Sequence, residues 1–134
     1  MREILFRGKR ADNGEWVEGD LSQHKNGKTF IKCGSATQSY EVIPKTIGQY
    51  TGKTLCDTRV FKGDIVEWYE DYDDSWGYTQ TANGYSVVVW DDENFCWGFD
   101  TDGYVQSFND WDWYNCFVIG NIHDNPELLK GGTE

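Results

Sequence analysis

Four cysteines and two histidines are the residue types in this chain that most often bind zinc. Structural zinc sites use cysteines separated by roughly two to four residues, whereas the nearest pair here is Cys96 and Cys116. The two histidines, His24 and His123, are also isolated in the sequence. The spacing therefore predicts no zinc site. We expect all four thiols to be buried and reduced, because free cysteine is among the most buried residue types.

The acidic residues suggest two other kinds of chemistry, calcium binding and acid-base catalysis. Asp100-Thr101-Asp102-Gly103 resembles the middle of an EF-hand loop, but Gly98 and Asn109 stand where that loop needs its first aspartate and its bidentate glutamate. Weak binding of a divalent ion by clustered carboxylates stays open. A catalytic pair would need one desolvated carboxylate, which the sequence does not specify. No catalytic residue, metal or cofactor is therefore predicted.

The acidic residues are concentrated in the second half of the chain. Residues 63–129 contain 15 acidic and no basic residues, whereas residues 1–62 contain 11 basic and 7 acidic residues, a net charge of −15 against +4. Sixteen of the 22 aromatic residues lie in the same acidic stretch, which is too rich in large rings to be a disordered tail. We expect this half not to bind DNA or RNA, because Lys and Arg must neutralise the phosphates.

Two short segments of this acidic half combine carboxylates with large aromatic rings. Tryptophan and tyrosine are enriched at the hot spots of protein interfaces, and an acidic surface attracts a basic partner through electrostatic steering. The segments therefore predict a surface that binds a basic protein or a second copy of the chain; the alternative is that the rings fold back onto the core. The candidate residues are Glu70, Asp71, Tyr72, Asp73, Asp74, Trp76, Asp110, Trp111, Asp112 and Trp113.

A protein with such a surface would be a non-enzymatic interaction module. Two other functions are alternatives to it. The first is a regulator associated with nucleic acid, since the N-terminal part keeps the positive charge of the chain. The second is a hydrolase built on a pair of carboxylates, as in glycoside hydrolysis. The candidate cations of the first alternative are Arg2, Arg7, Lys9, Arg10, Lys25, Lys28 and Lys32.

The length and the distribution of apolar residues limit the class of protein. A chain of 134 residues fits one domain, or one domain with a small subdomain. The longest apolar candidate for a membrane span is Val87-Val88-Val89-Trp90, which is far too short, and the first residues lack the apolar run of a signal peptide. We therefore expect a soluble cytosolic protein.

Apolar alternation with turn residues at short intervals predicts an all-β fold. Asn13-Gly14 and Asn26-Gly27 favour tight hairpin turns, because this dipeptide readily adopts positive φ. A Gly63-Asp64 turn is expected before a strand that starts at Ile65. Gly120 is expected to mark a bulge in the last strand.

Three segments are predicted to lie outside the strands. Residues 46–52 are expected to be irregular. Residues 70–84 are expected to form a polar and aromatic loop of about 15 residues, which is long for a compact domain. Residues 124–129 are expected to form a short helix, with Asp124 as a polar cap and Pro126 near its first position.

Five blocks of sequence, in this order, resemble the YopX family of phage and prophage proteins. Together they extend over nearly the whole chain. Residues 53–59 depart from the family pattern, because they lack the glycine of its usual Asn-Gly-rich turn. The blocks are REILFRGKR (2–10), GEWVEGDL (14–21), VIPKTIGQYTG (42–52), FKGDIV (61–66) and VIGNIHDNPELL (118–129).

The resemblance implies a fold and a setting, but no established activity. Residues 48–134 are expected to form a small SH3-like β-barrel with acidic aromatic loops and a short C-terminal helix, and residues 1–47 a subdomain rich in β-hairpins. Gly8, Gly19 and Gly63 are implied at turns or bulges, with Trp16 and Ile65 in the core. The expected protein is a phage or prophage accessory protein in the cytoplasm of the bacterial host, where it binds a basic host or phage protein, or its own copies.

Overall fold

The structure, a computed structural model, describes residues 3–34, 38–110 and 115–129. Regular structure in this part of the chain consists of β-strands and short 3-10 helices, so the predicted all-β fold is confirmed. The chain divides into two compact units, Met1–Lys53 and Thr54–Glu134. The division predicted after residue 47 stays a prediction. The strands are β1 (Phe6–Lys9), β2 (Trp16–Gln23), β3 (Thr29–Lys32), β4 (Ser39–Val42), β5 (Gly48–Leu55), β6 (Thr58–Phe61), β7 (Asp64–Asp73), β8 (Thr79–Asp91), β9 (Cys96–Thr101), β10 (Tyr104–Ser107) and β11 (Cys116–Asn121).

In the first unit the strands lie antiparallel in the order β4-β3-β2-β1-β5. Strand β2 pairs with β1 through residues 16–19 and with β3 through residues 20–23. Gly19 lies where β2 changes partner, and a Cβ there would overlap the carbonyl oxygen of Lys32. Gly19 and Gly8 therefore lie inside strands, not at the turns or bulges that the family resemblance implied. Gly63 does lie in a turn, with φ +92°.

The two residues that the family resemblance assigned to the core have different surroundings. Ile65 is fully buried, which confirms that expectation, whereas Trp16 is only half-buried. The Trp16 ring lies beside two cations, with the Arg7 guanidinium carbon 4.8 Å and the Lys9 ammonium nitrogen 5.6 Å from the ring centroid. Trp16 therefore supports the long cationic side chains of β1.

The prediction that residues 46–52 are irregular is wrong for most of that segment. A 3-10 helix covers Pro44–Thr46, and β5 then begins at Gly48. The register with β1 places Phe6 opposite Gln49, and Tyr50 is buried. Residues 46–52 show no clear apolar alternation, so the sequence did not reveal a strand that pairing with β1 stabilises.

The turn after β5, whose type the sequence left open, needs no glycine. Cys56 and Asp57 have φ of 51° and 64°. Positive φ at both central residues of a two-residue hairpin turn is the type I′ arrangement, which Asn-Gly usually occupies. Aspartate tolerates this conformation better than most residues, which lowers its cost.

The second unit contains an antiparallel sheet in the order β10-β9-β8-β7-β11. Strands β7 and β8 form its longest hairpin, in register from Ile65 opposite Val87 to Asp73 opposite Thr79. Strand β11 pairs with β7, and its register shifts between Val118 and Gly120, which confirms the predicted bulge. The core beside these strands consists of Leu55, Val60, Val66, Val88, Phe99 and Cys116.

Two expectations about the C-terminal part are wrong. The five-stranded sheet is open in the part of the chain that is described, with β10 and β11 as its edges, so the expected SH3-like barrel is not observed. The expected C-terminal helix is only a four-residue 3-10 turn, Pro126–Leu129. A segment this short cannot offset the cost of helix nucleation. Asn121 stabilises the preceding turn instead, because its side-chain oxygen accepts hydrogen bonds from the amides of His123 and Asp124.

The cysteines are less buried than expected. Cys116 is buried in the core, but Cys33 and Cys96 are half-buried and Cys56 is exposed. All four are free thiols. The expectation of burial is therefore correct only for Cys116, because the other three lie in a turn or near strand ends. Among the described residues, no helix has both the length and the apolar composition to cross a membrane.

Candidate functional site

The segment predicted to be a long loop is mostly a β-hairpin. Strands β7 and β8 continue in register through Tyr69 opposite Asn83, Asp71 opposite Thr81 and Asp73 opposite Thr79. We call residues 69–83 the acidic hairpin. The prediction of a loop was wrong because acidic residues disfavour strands locally, whereas cross-strand pairing with threonine stabilises them here.

The tip of the acidic hairpin is held together by Asp74. Its Oδ1 accepts hydrogen bonds from the backbone amides of Trp76 at 2.9 Å and Tyr78 at 3.0 Å, and its Oδ2 accepts one from Gln80 Nε2 at 3.0 Å. The bond from the Tyr78 amide is the main cause that lowers the pKa of Asp74 below its usual value. Gly77 completes the turn with φ +85°. Asp74 is therefore a structural residue of the tip.

The aromatic rings at the tip point away from the core. Trp76 is 83% exposed and Tyr78 is 69% exposed, while Tyr72 on β7 is 49% exposed. For Tyr72, Trp76 and Tyr78, the alternative that the rings fold back onto the core is therefore wrong. Tyr78 was not among the predicted site residues, although its position beside the acidic residues could have indicated it.

One face of the acidic hairpin, which we call the outer face, carries acids that are bonded across the strands. Asp73 accepts a hydrogen bond from Thr79 at 3.2 Å, and Asp71 accepts one from Thr81 at 2.8 Å. Below them, a hydrogen bond to Glu67 is the main cause that raises the pKa of the Tyr69 hydroxyl. Each of these carboxylates is held in place by a neighbouring side chain on the same face.

The opposite face, the inner face, carries Trp68, Glu70 and Tyr72. Trp68 donates a hydrogen bond from its indole nitrogen to Ser86 Oγ at 3.0 Å. Its ring covers Gly84, where a Cβ would overlap it. Glu70 lies opposite Ala82, which has no donor, and its carboxylate accepts no hydrogen bond from any described residue.

A groove of about 520 Å³ lies beside the inner face of the hairpin. Strand β7 forms one side, and residues of β9 and β10 form the other. This volume is within the range of small-ligand sites, roughly 300 to 1,000 Å³. The groove is lined by Trp68, Tyr69, Glu70, Asp71, Thr101, Tyr104, Gln106, Asp110 and Asn115.

The second predicted acidic aromatic segment is described only at its first residue. Asp110 ends the 3-10 helix Phe108–Asp110 and lines the groove, and its backbone oxygen accepts a hydrogen bond from Gln106 Nε2 at 2.8 Å. Trp111, Asp112 and Trp113 lie outside the described residues. The structure thus brings Asp110 to the same groove as Glu70 and Asp71, while Asp74 and Trp76 lie at the hairpin tip.

Sequence reasoning missed Tyr104 and Gln106, which line the groove from β10. Tyr104 lies opposite Thr101, and Gln106 lies opposite Phe99 in the antiparallel register. These pairings place both β10 side chains on the side of the sheet that carries the core residue Phe99. The antiparallel register of β9 with β10 was needed to show which face of the sheet carries these side chains.

A sequence model of the family described as YopX protein matches residues 5–130. The chain belongs to the YopX family. No curated protein and no solved structure matches the chain. The range matched by the YopX family model includes the acidic hairpin and all the residues that line the groove.

Two of the five sequence blocks that resemble the YopX family, residues 61–66 and 118–129, contribute to the scaffold of the second unit. The backbone oxygen of Gly63, in one block, accepts a hydrogen bond from the amide of Ile122, in another, at 2.9 Å. The amide of Gly63 donates to the backbone oxygen of Val88 at 2.9 Å. The acidic hairpin lies outside all five blocks, so its role must be argued from its own geometry.

The segment that resembled a calcium loop is a tight turn between β9 and β10. Asp100 Oδ1 accepts a hydrogen bond from the Gly103 amide at 2.8 Å, and Asp102 and Gly103 have positive φ of 52° and 91°. One carboxylate of the segment therefore closes the turn. Across the described residues, no group of three or more His, Cys, Asp or Glu side chains is placed to hold a metal ion.

The predicted basic face of the first unit has mixed charge. In the strand register Arg7 lies opposite Glu18, and Lys32 lies opposite Asp20. Side chains that are directly opposite share a face of the sheet. Positive and negative charges therefore alternate on this face, which weakens its attraction for a phosphate backbone.

Arg10, another of the predicted cations, is bound to an acid of its own. It donates two hydrogen bonds to the Asp12 carboxylate, from Nε at 3.0 Å and from Nη2 at 2.7 Å. This interaction raises the pKa of Arg10 and lowers the pKa of Asp12. The guanidinium carbon also lies 4.2 Å from the centroid of the Tyr40 ring. Of the other cations, Lys25 and Lys28 lie at the turn between β2 and β3, and Arg2 lies outside the described residues.

Proposed function

We propose that this member of the YopX family is a non-enzymatic interaction module that binds a basic protein through the acidic hairpin. The proposal includes the setting that the family resemblance implies, a phage or prophage accessory protein in the cytoplasm of its bacterial host. Its partner is a basic host or phage protein, and a second copy of the chain is the alternative partner.

The observation that carries this proposal is an ordered hairpin with a large exposed ring at its tip. The three hydrogen bonds to Asp74 hold the tip, and Trp76 is 83% exposed there. Because the backbone that carries Trp76 is already held, little backbone entropy is lost on binding, and tryptophan is enriched at hot spots. The tip therefore has the properties of an anchor that inserts into a partner.

The charge of the hairpin supports a basic partner. Residues 63–129 contain no basic residue, so no lysine or arginine from this stretch can neutralise its carboxylates. Asp71 and Asp73 are held in one row on the outer face by their threonine partners. Such a row of like charges accelerates the approach of a positively charged surface.

Capture of proteins from a bacterial lysate by the immobilised chain tests this function. The tip variant carries Asp71→Asn, Asp73→Asn and Trp76→Ala, which remove two charges and the exposed ring but keep oxygen acceptors for the threonines. We expect at least one basic protein to be retained by the natural chain and lost by the tip variant. Retention should also be lost at roughly 1 M salt, where charges are screened beyond about 3 Å.

A matched control changes the same types of residue at another turn of the second unit. Asp92→Asn, Glu93→Gln and Phe95→Ala remove two charges and a ring that is 79% exposed, at the turn between β8 and β9. This control should retain the captured protein. The proposal is wrong if the natural chain, the tip variant and the control retain the same proteins. Light scattering across a salt series separates self-association from a different partner.

The two alternative functions have no specific observation in their favour. The nucleic-acid regulator needs a continuous basic face, whereas acids lie opposite Arg7 and Lys32 in the first unit. The carboxylate-based hydrolase stays a hypothesis, and hydrolytic turnover of a glycoside substrate that requires Glu70 or Asp110 would support it.

A further inference from the structure

We propose that the groove beside the inner face of the acidic hairpin receives an arginine side chain of the partner. This inference rests on the proposed function and specifies which group of a basic protein the second unit recognises. The tip would supply the exposed anchor, while the groove would select a guanidinium. The two sites share β7 and Asp71, but Trp76 belongs only to the tip and Glu70 lines only the groove, so single variants of these two residues test the sites separately.

The first observation in support is that two carboxylates at the groove accept no hydrogen bond from the described residues. Glu70 and Asp110 both line it, and neither carboxylate accepts a hydrogen bond from the part of the chain that is described. The carboxylates of the outer face differ, since Asp71 is bonded to Thr81 and Asp73 to Thr79. The groove therefore holds acceptors that are available to a ligand.

The second observation is the aromatic lining of the groove. Trp68 is held by its hydrogen bond to Ser86 and by its close contact with Gly84. Tyr104 lines the groove from β10 and is 71% exposed. A cation near the face of such rings is attracted by their π-electrons, and the planar guanidinium also stacks on them.

The third observation is the supply of neutral acceptors. Gln106 donates its Nε2 to the backbone oxygen of Asp110, so its amide orientation is set and its Oε1 has no partner among the described residues. Asn115 contributes a second side-chain amide to the lining. A guanidinium has five N–H donors, whereas an ammonium has three on a strongly hydrated centre. Several acceptors beside aromatic rings therefore favour arginine over lysine.

The negative charge of the residues around the groove favours a cationic ligand. Among the described residues that line the groove, the charged ones are all acidic: Glu70, Asp71 and Asp110. Residues 63–129 contain no lysine or arginine that could fill the groove from the same stretch of chain. An arginine from a partner would form charge-assisted hydrogen bonds with these carboxylates.

A titration of the full chain with N-acetyl-arginine amide, followed by ¹H–¹⁵N NMR, tests this inference. The matched probes are N-acetyl-citrulline amide, which is nearly isosteric and neutral, and N-acetyl-lysine amide. We expect saturable shifts of the Trp68 indole N–H and of the amides of Glu70 and Gln106 with the arginine probe. The lysine probe should bind more weakly, and the citrulline probe should cause no saturable shift.

Two variants localise the binding. Glu70→Gln should weaken the arginine probe by roughly ten-fold or more, because a hydrogen bond to a charged group is lost. Its fold should be unchanged, since the Glu70 carboxylate bonds to no described residue. Glu93→Gln removes the same charge at the turn between β8 and β9 and should leave the affinity unchanged.

Three results would overturn the inference: equal shifts with citrulline, equal affinity for lysine, or an unchanged affinity in Glu70→Gln. The single variant Trp76→Ala separates this outcome from the lysate experiment, because Trp76 is not among the described residues that line the groove, whereas Asp71 of the tip variant is. Trp76→Ala should therefore bind the arginine probe like the natural chain. If the probe binds but the tip variant still captures every partner, the tip function fails and the groove stands. If instead the tip variant loses the partner and the arginine probe does not bind the natural chain, the tip function stands and only the groove proposal fails.

Discussion

The contact between Trp68 and Gly84 makes Gly84→Ala an informative perturbation. A Cβ on Gly84 would overlap the indole ring, with further ring atoms, Cε2 and Cη2, at 2.8 Å. Those atoms belong to a side chain that packs against the core and is fixed by Ser86. The backbone of residue 84 does not need glycine, because its φ is outside the left-handed region. The destabilising part of the effect therefore comes from the contact and not from backbone strain.

Opposing effects determine the size of the change. Alanine in a strand is favoured over glycine by roughly 0.5 to 1 kcal/mol. Against this, forcing an extra carbon into a packed contact costs typically about 1 to 3 kcal/mol. Displacing the Trp68 ring also breaks its hydrogen bond to Ser86, a loss of about 0.5 to 1.5 kcal/mol. We therefore expect Gly84→Ala to lower the free energy of unfolding by roughly 1 to 3 kcal/mol.

Urea denaturation of four chains measures this effect: the natural chain, Gly84→Ala, Trp68→Leu and the double variant. In the Trp68→Leu background the clash is absent, so Gly84→Ala should be neutral or slightly stabilising. The double-mutant cycle should give a coupling of at least about 1 kcal/mol, within the range found for residues in contact. A Gly84→Ala chain as stable as the natural one, or additive effects in the cycle, would refute the reasoning.

Three further predictions concern single side chains. Asp74 has a lowered pKa, so the order that it provides at the tip is complete above its unfolded pKa and is lost as the pH falls through its folded pKa. The protection of the Tyr78 amide against hydrogen exchange, taken relative to its intrinsic exchange rate at each pH, should fall between about pH 5 and pH 2, and Asp74→Asn should remove most of this pH dependence. Asp64 is buried and accepts a hydrogen bond from the Phe61 amide at 2.7 Å, so Asp64→Ala should cost about 1 to 3 kcal/mol in urea denaturation; an unchanged midpoint would contradict this role. Asp57 has φ 64° in the turn after β5, so Asp57→Gly should raise the free energy of unfolding by up to about 1 kcal/mol, and a lower melting temperature would show that its side chain is needed there.

Turns were the part of the fold that could be predicted most directly from the sequence. Gly14, Gly27 and Gly63 all have positive φ at the turns where they were expected. The bulge at Gly120 is also present. These predictions succeed because a turn depends on the conformational range of one or two residues, which residue type alone limits.

The acidic hairpin could not be predicted in the same way. Glu70 to Asp74 have low strand propensity, and no apolar alternation indicates that β7 extends beyond Trp68. The extension depends on Thr79 and Thr81, which bond to Asp73 and Asp71 from the other strand. Such pairs stabilise a sheet only once the register is set, so a local pattern does not show them.

The segregated charge, the aromatic content of the acidic half and the family resemblance could be established from the order of residues along the chain. They were enough to indicate an acidic aromatic surface. Which acids are available to a partner depended on the tertiary structure. Asp71 and Glu70 are neighbours in the sequence, yet one faces Thr81 and is bonded while the other faces Ala82 and is not. Successive side chains of a strand point to opposite faces, and the register of β7 with β8 decides what each one meets.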